Sequence, residues 1–347
     1  MRTHLHFFPT FALGGAQRRF ASLAEGISGW RHVVVPLDGD RGAAAAMRDE
    51  PAFEAVSLAP SRGISVSNLR ALARLIGRVR PALVSTYNWG AIEGVLANRL
   101  LAHVPHIHHE DGFGSDEATG EIARRRTVRR LALGGGVHVA VPSTGLAERA
   151  ASAWRVPQRR LHHVPNGVDL ARFTPGRDAD GPAVYLGALR PEKNLTRLLQ
   201  AMRGRPFPLD VWGEGKLRAA LETTAPPNVR FRGGTDRPEA ALTGARLLAL
   251  SSDTEQMPLV VLEAMAAGLP VVATDVGDTK ALVSEPNRAF VTPLGDDAAY
   301  AAALRTVGTD TALAERLGAA NRARAEAAYG LDRMVEAHAA LWDALAR

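Results

Sequence analysis

The 347-residue chain contains no cysteine, which excludes disulfides, thiolate zinc sites, iron–sulfur clusters and cysteine nucleophiles at once. That absence suits a reducing cytoplasm. No uninterrupted apolar run reaches the ~20 residues of a membrane span, and the apolar stretch in Met1-Arg2-Thr3-His4-Leu5-His6-Phe7-Phe8-Pro9 is too short for a signal-peptide core. Neither secretion nor integral membrane insertion is expected. Lysine is missing from residues 1–170, where 21 Arg stand against 14 Asp plus Glu. The formal net charge of +6 therefore resides in the first half, at +7, with −1 in the remainder. Aromatic residues make up only 5%, and no stacking motif or known nucleic-acid-binding signature accompanies the arginines, so no nucleic-acid partner is expected. What remains is a chain of 46% hydrophobic and 22% charged residues, a globular composition whose length predicts two domains.

Short β-rich runs alternate with helical patterns in both halves, the signature of parallel α/β folds. Strands are expected at 5–8, 32–36, 55–58, 82–87, 106–109, 137–141 and 161–164, with an amphipathic helix over 68–79. The second half repeats the plan with strands at 183–186, 209–212, 229–232, 247–250 and 271–274, and helices over 191–202 and 258–267. Residues 165–180, rich in Pro, Gly and Asp, support no periodic pattern and mark the boundary. Domains are thus expected at 1–165 and 166–331, with a helix over 332–347 that either crosses back onto the first domain or caps the second. Two doubly wound domains in tandem would face a central cleft, with ligands outside the carboxyl ends of the strands.

The sharpest motif runs from Glu255 to Gly268, after a strand and into a helix. Pro258 suits the first helical position and Gly268 the residue just past the end. Backbone N–H groups of Leu259, Val260 and Val261 would then be free to bind a phosphate. Glu263 lies one turn inside, where its carboxylate can accept hydrogen bonds from vicinal hydroxyls, and Glu255 sits across the same mouth. A Glu on so apolar a helix can alternatively be a buried ion-pair partner. The second motif is Leu186-Gly187-Ala188-Leu189-Arg190-Pro191-Glu192-Lys193-Asn194, a strand, a glycine turn and a helix opened by Pro191. Arg190 and Lys193 at its first turn oppose the helix dipole unless an anion lies between them. A bound diphosphate supplies that anion; an exposed basic turn is the bland alternative.

Gly14-Gly15-Ala16-Gln17 follows the first strand and lets the backbone approach a ligand closely, but lacks the spacing of a dinucleotide fingerprint. His108-His109-Glu110-Asp111-Gly112 follows the fifth strand. Strand alternation sends His106 and His108 to one face, away from His109 and Asp111, so the histidines there make no metal site and no metal is expected in the reaction. Asp38-Gly39-Asp40 reads as a turn. Arg124, Arg125, Arg126, Arg129 and Arg130 spread over most of one side of a predicted helix. They form either a solvated face or a dock for an anionic membrane, at ~1 kcal/mol per residue.

Taken together, the Glu-x(7)-Glu helix, the Gly-x(2)-Arg-Pro-Glu-Lys turn, Pro165-Asn166-Gly167-Val168-Asp169 and the N-terminal Gly-Gly loop resemble the retaining GT-B glycosyltransferases of family four, over nearly the whole chain. The resemblance implies that Arg190 and Lys193 bind the donor diphosphate, Glu263 the ribose and Glu255 the transferred sugar. Backbone around Gln256, Met257, Pro258, Leu259 and Val260 would hold sugar and phosphate, Gly15 would approach the diphosphate, and the loop from His109 to Gly112 would line the reaction centre. Three positions depart from the family pattern. Ala188 stands where an arginine commonly follows the turn glycine, Pro258 replaces a glycine, and the His-Gly pair of relatives is absent, leaving His109 and Asp111 as competing acceptor-side residues.

The expected activity is transfer from a nucleotide diphosphate sugar, the donor substrate, to a hydroxyl acceptor with retention, without any cofactor. An anionic or lipid-linked acceptor at the inner membrane face, in surface polysaccharide or glycolipid biosynthesis, fits the basic first half. Two other readings share the architecture: a nucleotide-sugar epimerase, which yields no glycoside, and a non-catalytic nucleotide-sugar-binding scaffold. A nicotinamide oxidoreductase is disfavoured for want of a Gly-x-Gly-x-x-Gly turn.

Overall fold

The β-rich runs of the first half pair into one parallel sheet in the computed structural model, which describes residues 1–60, 63–113, 115–117 and 120–347. The strands are β1 (Arg2–Phe8), β2 (Trp30–Pro36), β3 (Ala52–Phe53), β4 (Leu83–Tyr87), β5 (His106–His109), β6 (His138–Val141) and β7 (Leu161–His163), in the order β3-β2-β1-β4-β5-β6-β7. The second half builds β8 (Ala183–Leu186), β9 (Leu209–Trp212), β10 (Val229–Gly233), β11 (Leu247–Leu250), β12 (Val271–Thr274) and β13 (Val291–Thr292), ordered β10-β9-β8-β11-β12-β13. Both sheets are doubly wound. The chain divides into two compact units, Met1–Pro165 with Asp332–Arg347, and Asn166–Leu331. The final helix, Leu331–Leu345, packs within the first unit: Asp343 pairs with Arg2, and Trp342 is fully buried against His4.

In the second unit the central strands β8, β11 and β12 are apolar on both faces, as a parallel sheet covered by helices requires, whereas β9 carries Asp210 and β10 carries Arg230 and Arg232. Val184, Leu248, Leu250 and Val271 meet Val261, Leu262 and Met265 of the helix Leu259–Ala266 on one face. Tyr185, Val211, Leu247 and Val272 meet Leu195, Leu198 and Leu304 on the other. The first sheet is asymmetric. Leu5, Phe7, Val33, Val35 and Val84 face the helix Val66–Val79 through Leu69, Leu72, Leu75 and Ile76. Alternation then sends His4 and His6 to the opposite face, beside Trp342 and Phe20.

Three elements differ from expectation. The third strand lies at Ala52–Phe53, paired with Val33 and Val34, rather than over 55–58. β13 has two residues, too few for a periodic signal. The single helix expected over 191–202 is a 3-10 turn, Pro191–Lys193, followed by an α-helix, Leu195–Met202. Asn194 separates them in the left-handed conformation (φ 40°), and its side chain caps the helix by accepting from the Arg197 N–H.

Candidate active site

The order of the second sheet reverses between β8 and β11, so the loops leaving these two neighbours flank its topological switch point. Lys193 belongs to the turn after β8 and Glu255 to the loop after β11. Lys193 Nζ donates to Glu255 Oε1 at 2.5 Å, and the same oxygen accepts from Ser252 Oγ at 2.7 Å. The loops are stitched along their length. Ser251 Oγ donates to the Lys193 carbonyl at 2.9 Å, Asp253 N–H to the Glu192 carbonyl at 2.8 Å, and Asn194 Nδ2 to the Asp253 carboxylate at 3.0 and 3.1 Å. Beneath them the buried Arg197 donates from Nη1 to the Ser251 carbonyl and to Asp253 Oδ1, both at 2.8 Å. Lys193 and Glu255 remain 24% and 11% exposed, so the pair is both held and reachable.

The segment from Gln256 to Val260 is fixed from two sides. Asp278 N–H donates to the Gln256 carbonyl at 2.8 Å. Gly277 has φ +55°, and a Cβ there would run into the Glu255 and Gln256 carbonyls. Met257 is buried, with its carbonyl accepting from Asn166 Nδ2 at 3.1 Å. Pro258 proves to be the extended residue that caps the helix rather than its first member; the helix spans Leu259–Ala266 and ends at Gly268 with φ +70°. Its first turn offers fewer free donors than expected, because the Val261 N–H donates to the Pro258 carbonyl at 3.1 Å. Leu259 and Val260 are left as the first-turn donors. Glu263 lies one turn further on, half-buried.

Arg190 is exposed at the start of the Pro191–Lys193 turn. Neither it nor Lys193 occupies the first turn of an α-helix, which begins only at Leu195. The electrostatic case for an anion there rests on two cations at one loop, not on opposition to a helix dipole.

In the first unit, β1 and β4 flank the corresponding switch point. Gly15 is exposed and opens the helix Gly15–Gly26 after the extended Gly14. Gln17 Nε2 ties the loop by donating to the Thr10 carbonyl at 2.8 Å. One turn on, the buried Arg19 forms a bidentate pair with Asp111, with Nη2 to Oδ2 at 3.0 Å and Nη1 on Oδ1. Asp111 N–H donates to Asn88 Oδ1 at 2.7 Å, and Asn88 N–H to the His109 carbonyl at 2.7 Å. His109 is the more enclosed of the two competing residues. It is 1% exposed, stacked 4.7 Å from Tyr87 and 5.8 Å from His338. Burial, the Arg19 charge and neighbouring imidazoles hold it well below the usual imidazole range, hence neutral. Of the two competing residues, Asp111 is the one with an accessible side chain, and Arg19 and Asn88, which position it, carried no sequence signal because they lie far from it along the chain.

The five-arginine face is also corrected. Arg129 is fully buried in the helix Ala123–Leu133, donating to Glu117 at 3.0 and 3.1 Å and to Glu121 at 2.9 Å, with Glu110 at 3.4 Å. Arg125 is tied to Asp116 and Glu117. Of the five arginines on this helix, only Arg124, Arg126 and Arg130 stand exposed.

Known proteins resemble this chain in sequence and fold. The family model described as Glycosyltransferase Family 4 matches residues 13–172, and that of glycosyl transferases group 1 matches residues 172–324. A GDP-mannose-dependent alpha-mannosyltransferase of Mycobacterium tuberculosis is 32% identical over 58% of this chain and 56% of its own length. A D-inositol 3-phosphate glycosyltransferase of Streptomyces avermitilis is 35% identical over 72% of this chain and 52% of its own. The chain spans about half the length of the curated relatives it matches. The crystal structure of Anabaena HepE in complex with UDP and glucose superposes with a TM-score of 0.84 at 18% identity, covering 99% of this chain and 100% of that one. Sucrose-phosphate synthase of Thermosynechococcus elongatus gives 0.79 at 20%, covering 99% of each. The chain belongs to the group 1 and family 4 glycosyltransferases, and its two sheets are those of the GT-B fold.

Proposed function

We propose that the chain transfers a sugar from a nucleotide diphosphate sugar, a UDP- or GDP-sugar, to a hydroxyl acceptor with retention of anomeric configuration. The observation that carries this reading is the accessible Lys193–Glu255 pair beside the first turn of the helix Leu259–Ala266. A diphosphate there meets Lys193, Arg190 and the Leu259 and Val260 N–H groups, all positive, which stabilise charge on the departing phosphate. Glu255 orients the transferred sugar and Glu263 accepts from the ribose hydroxyls. The bond from the anomeric carbon to phosphate breaks as the acceptor oxygen bonds to the same face, and the leaving phosphate takes the acceptor proton. The second unit is assigned the donor. The first is assigned the acceptor, with Asp111 at its loop, while Gly15 is assigned to the donor diphosphate.

Relatives named as mannosyltransferase and inositol-phosphate glycosyltransferase support sugar transfer over epimerisation. No described helix is long and apolar enough to cross a membrane. Exposed Arg124, Arg126 and Arg130 support peripheral contact with an anionic lipid surface, and with it a lipid-linked acceptor at the cytoplasmic face. The test is product analysis by NMR with UDP- and GDP-sugars and hydroxyl acceptors. A glycoside of unchanged anomeric configuration with free nucleotide diphosphate is expected; an epimerised nucleotide sugar without glycoside overturns the reading.

A further inference from the structure

The imidazole-rich face of the first sheet takes no part in the proposed transfer. His4 and His6 on β1 are fully buried and His32 on β2 is half-buried. Register places His4 beside His32, and His6 beside Ser85 of β4, all on one face. One nitrogen from each of the three rings lies within 4.8 Å of the other two. His6 Nε2 faces His32 Nδ1 at 3.0 Å. The second nitrogens of two rings meet hydroxyls, His6 Nδ1 with the Tyr87 hydroxyl at 3.2 Å and His4 Nε2 with Ser85 Oγ at 2.8 Å. Among the described residues, neither of the buried atoms His4 Nδ1 and His32 Nε2 has a hydrogen-bond partner. Trp342 of the last helix covers the group, its ring edge-on to His4 at 4.6 Å and 5.7 Å from His32.

We propose that His4, His6 and His32 bind one late first-row transition-metal ion of the zinc class within the first unit. Three features separate this from an ordinary packed histidine cluster. An imidazole that binds a metal donates its other N–H to an oxygen, which orients the ring and fixes its tautomer. Ser85 and Tyr87 stand ready to accept for His4 and His6, and so leave His4 Nδ1 and His6 Nε2 with their lone pairs free. Internal hydrogen bonding satisfies His6 and one nitrogen of His32, but leaves His4 Nδ1 and His32 Nε2 unpaired among the described residues, and an ion relieves the first of these costly atoms. Zinc–nitrogen bonds of about 2.0–2.1 Å in tetrahedral geometry set ligand nitrogens about 3.4 Å apart, a spacing reached from the present one by small ring movements. The ligand set selects the class of ion: three imidazoles without a carboxylate suit zinc, cobalt, nickel or copper and disfavour calcium and magnesium. Because Trp342 closes over the rings, the ion also stabilises the docking of the helix Leu331–Leu345.

The whole protein, stripped with a chelator and dialysed, is titrated with Zn²⁺ and with Co²⁺. One equivalent bound, a raised melting temperature and the visible absorption of nitrogen-coordinated cobalt are expected. His32→Gln should weaken binding by at least about tenfold, whereas His103→Gln, at an exposed position, should not. X-ray absorption on the zinc-loaded wild type needs no variant and should count three imidazoles, which decides the matter if His32→Gln fails to fold. Folded wild type that takes up no stoichiometric zinc or cobalt, binding that survives His32→Gln, or fewer than three imidazoles on zinc overturns the proposal.

Discussion

Lys193 and Glu255, 62 residues apart in sequence, meet at 2.5 Å where the loops after β8 and β11 run side by side. Each is an acid or base whose nearest partner is the other, and each stays partly open to solvent. Both side chains are mostly shielded from solvent, where the cost of desolvating two charges offsets much of their attraction, so folding alone gives little reason for the pair.

Removal of the cation should therefore separate activity from stability. Lys193→Ala is expected to lower kcat/KM for sugar transfer by about 10²–10³-fold, the usual loss for one preorganised donor to a developing anion. Its melting temperature should fall far less than its activity, since Glu255 loses a cation but keeps the Ser252 Oγ donor. Arg190→Ala, at an exposed position outside the loop stitching, should lose less. Steady-state kinetics and thermal melts on the two variants check both statements.

Gly277 closes over the Glu255 and Gln256 carbonyls with positive φ. Gly277→Ala adds about 1–2 kcal/mol of backbone strain and forces the loop outward. It should weaken nucleotide binding together with stability, in contrast to Lys193→Ala, and calorimetric titration of nucleotide distinguishes the two patterns.

The helix Ala123–Leu133 carries arginines of two kinds. Arg129→Ala takes the neighbouring cation from the buried Glu110 and leaves Glu117 to Arg125, and should cost about 3–5 kcal/mol, read from denaturant unfolding. Arg126→Ala and Arg130→Ala should change stability by less than about 0.5 kcal/mol. They should reduce sedimentation with anionic vesicles, most at low salt.

Acid should weaken the first unit. Burial holds His338 down at about 4, with Arg19 adding to the effect, and burial with the nearby His108 holds His106 at about 3, against 6.5 for a free imidazole. Between those values the unfolded chain binds more protons than the folded one. Stability is therefore fully present above about pH 6.5 and falls as the pH drops toward 4 and then 3. Melting temperatures from pH 7.5 to 4 should decline, and His338→Gln should flatten the upper part of the decline.

Legibility in the sequence followed length and locality. β8, β11 and β12 are apolar on both faces and, like β9, lie at the expected bounds, whereas the two-residue β3 and β13 are too short to carry a pattern. Gly268 announced the end of its helix because only a positive φ closes that turn. The break at Asn194 was hidden, since Pro191 promised a continuous helix and the competing cap needed Asp253 from another loop. Helical spacing displayed Arg129 among its neighbours, but its burial is decided by Glu110 and Glu117 in a loop of no regular period. The alternation of His4 and His6 is visible in the letters of β1; their meeting with His32 depends on the β1–β2 register.

A donor site built on Lys193 is tested by thermal denaturation of the wild type and Lys193→Ala with UDP, GDP, ADP, CMP, dTDP and their sugar conjugates. A nucleotide at 100 times its Kd adds about 2.7 kcal/mol of stability. Selective stabilisation of the wild type by one nucleotide, lost in Lys193→Ala, is the predicted result. Stabilisation by none of them, or equal stabilisation of both proteins, would contradict the site.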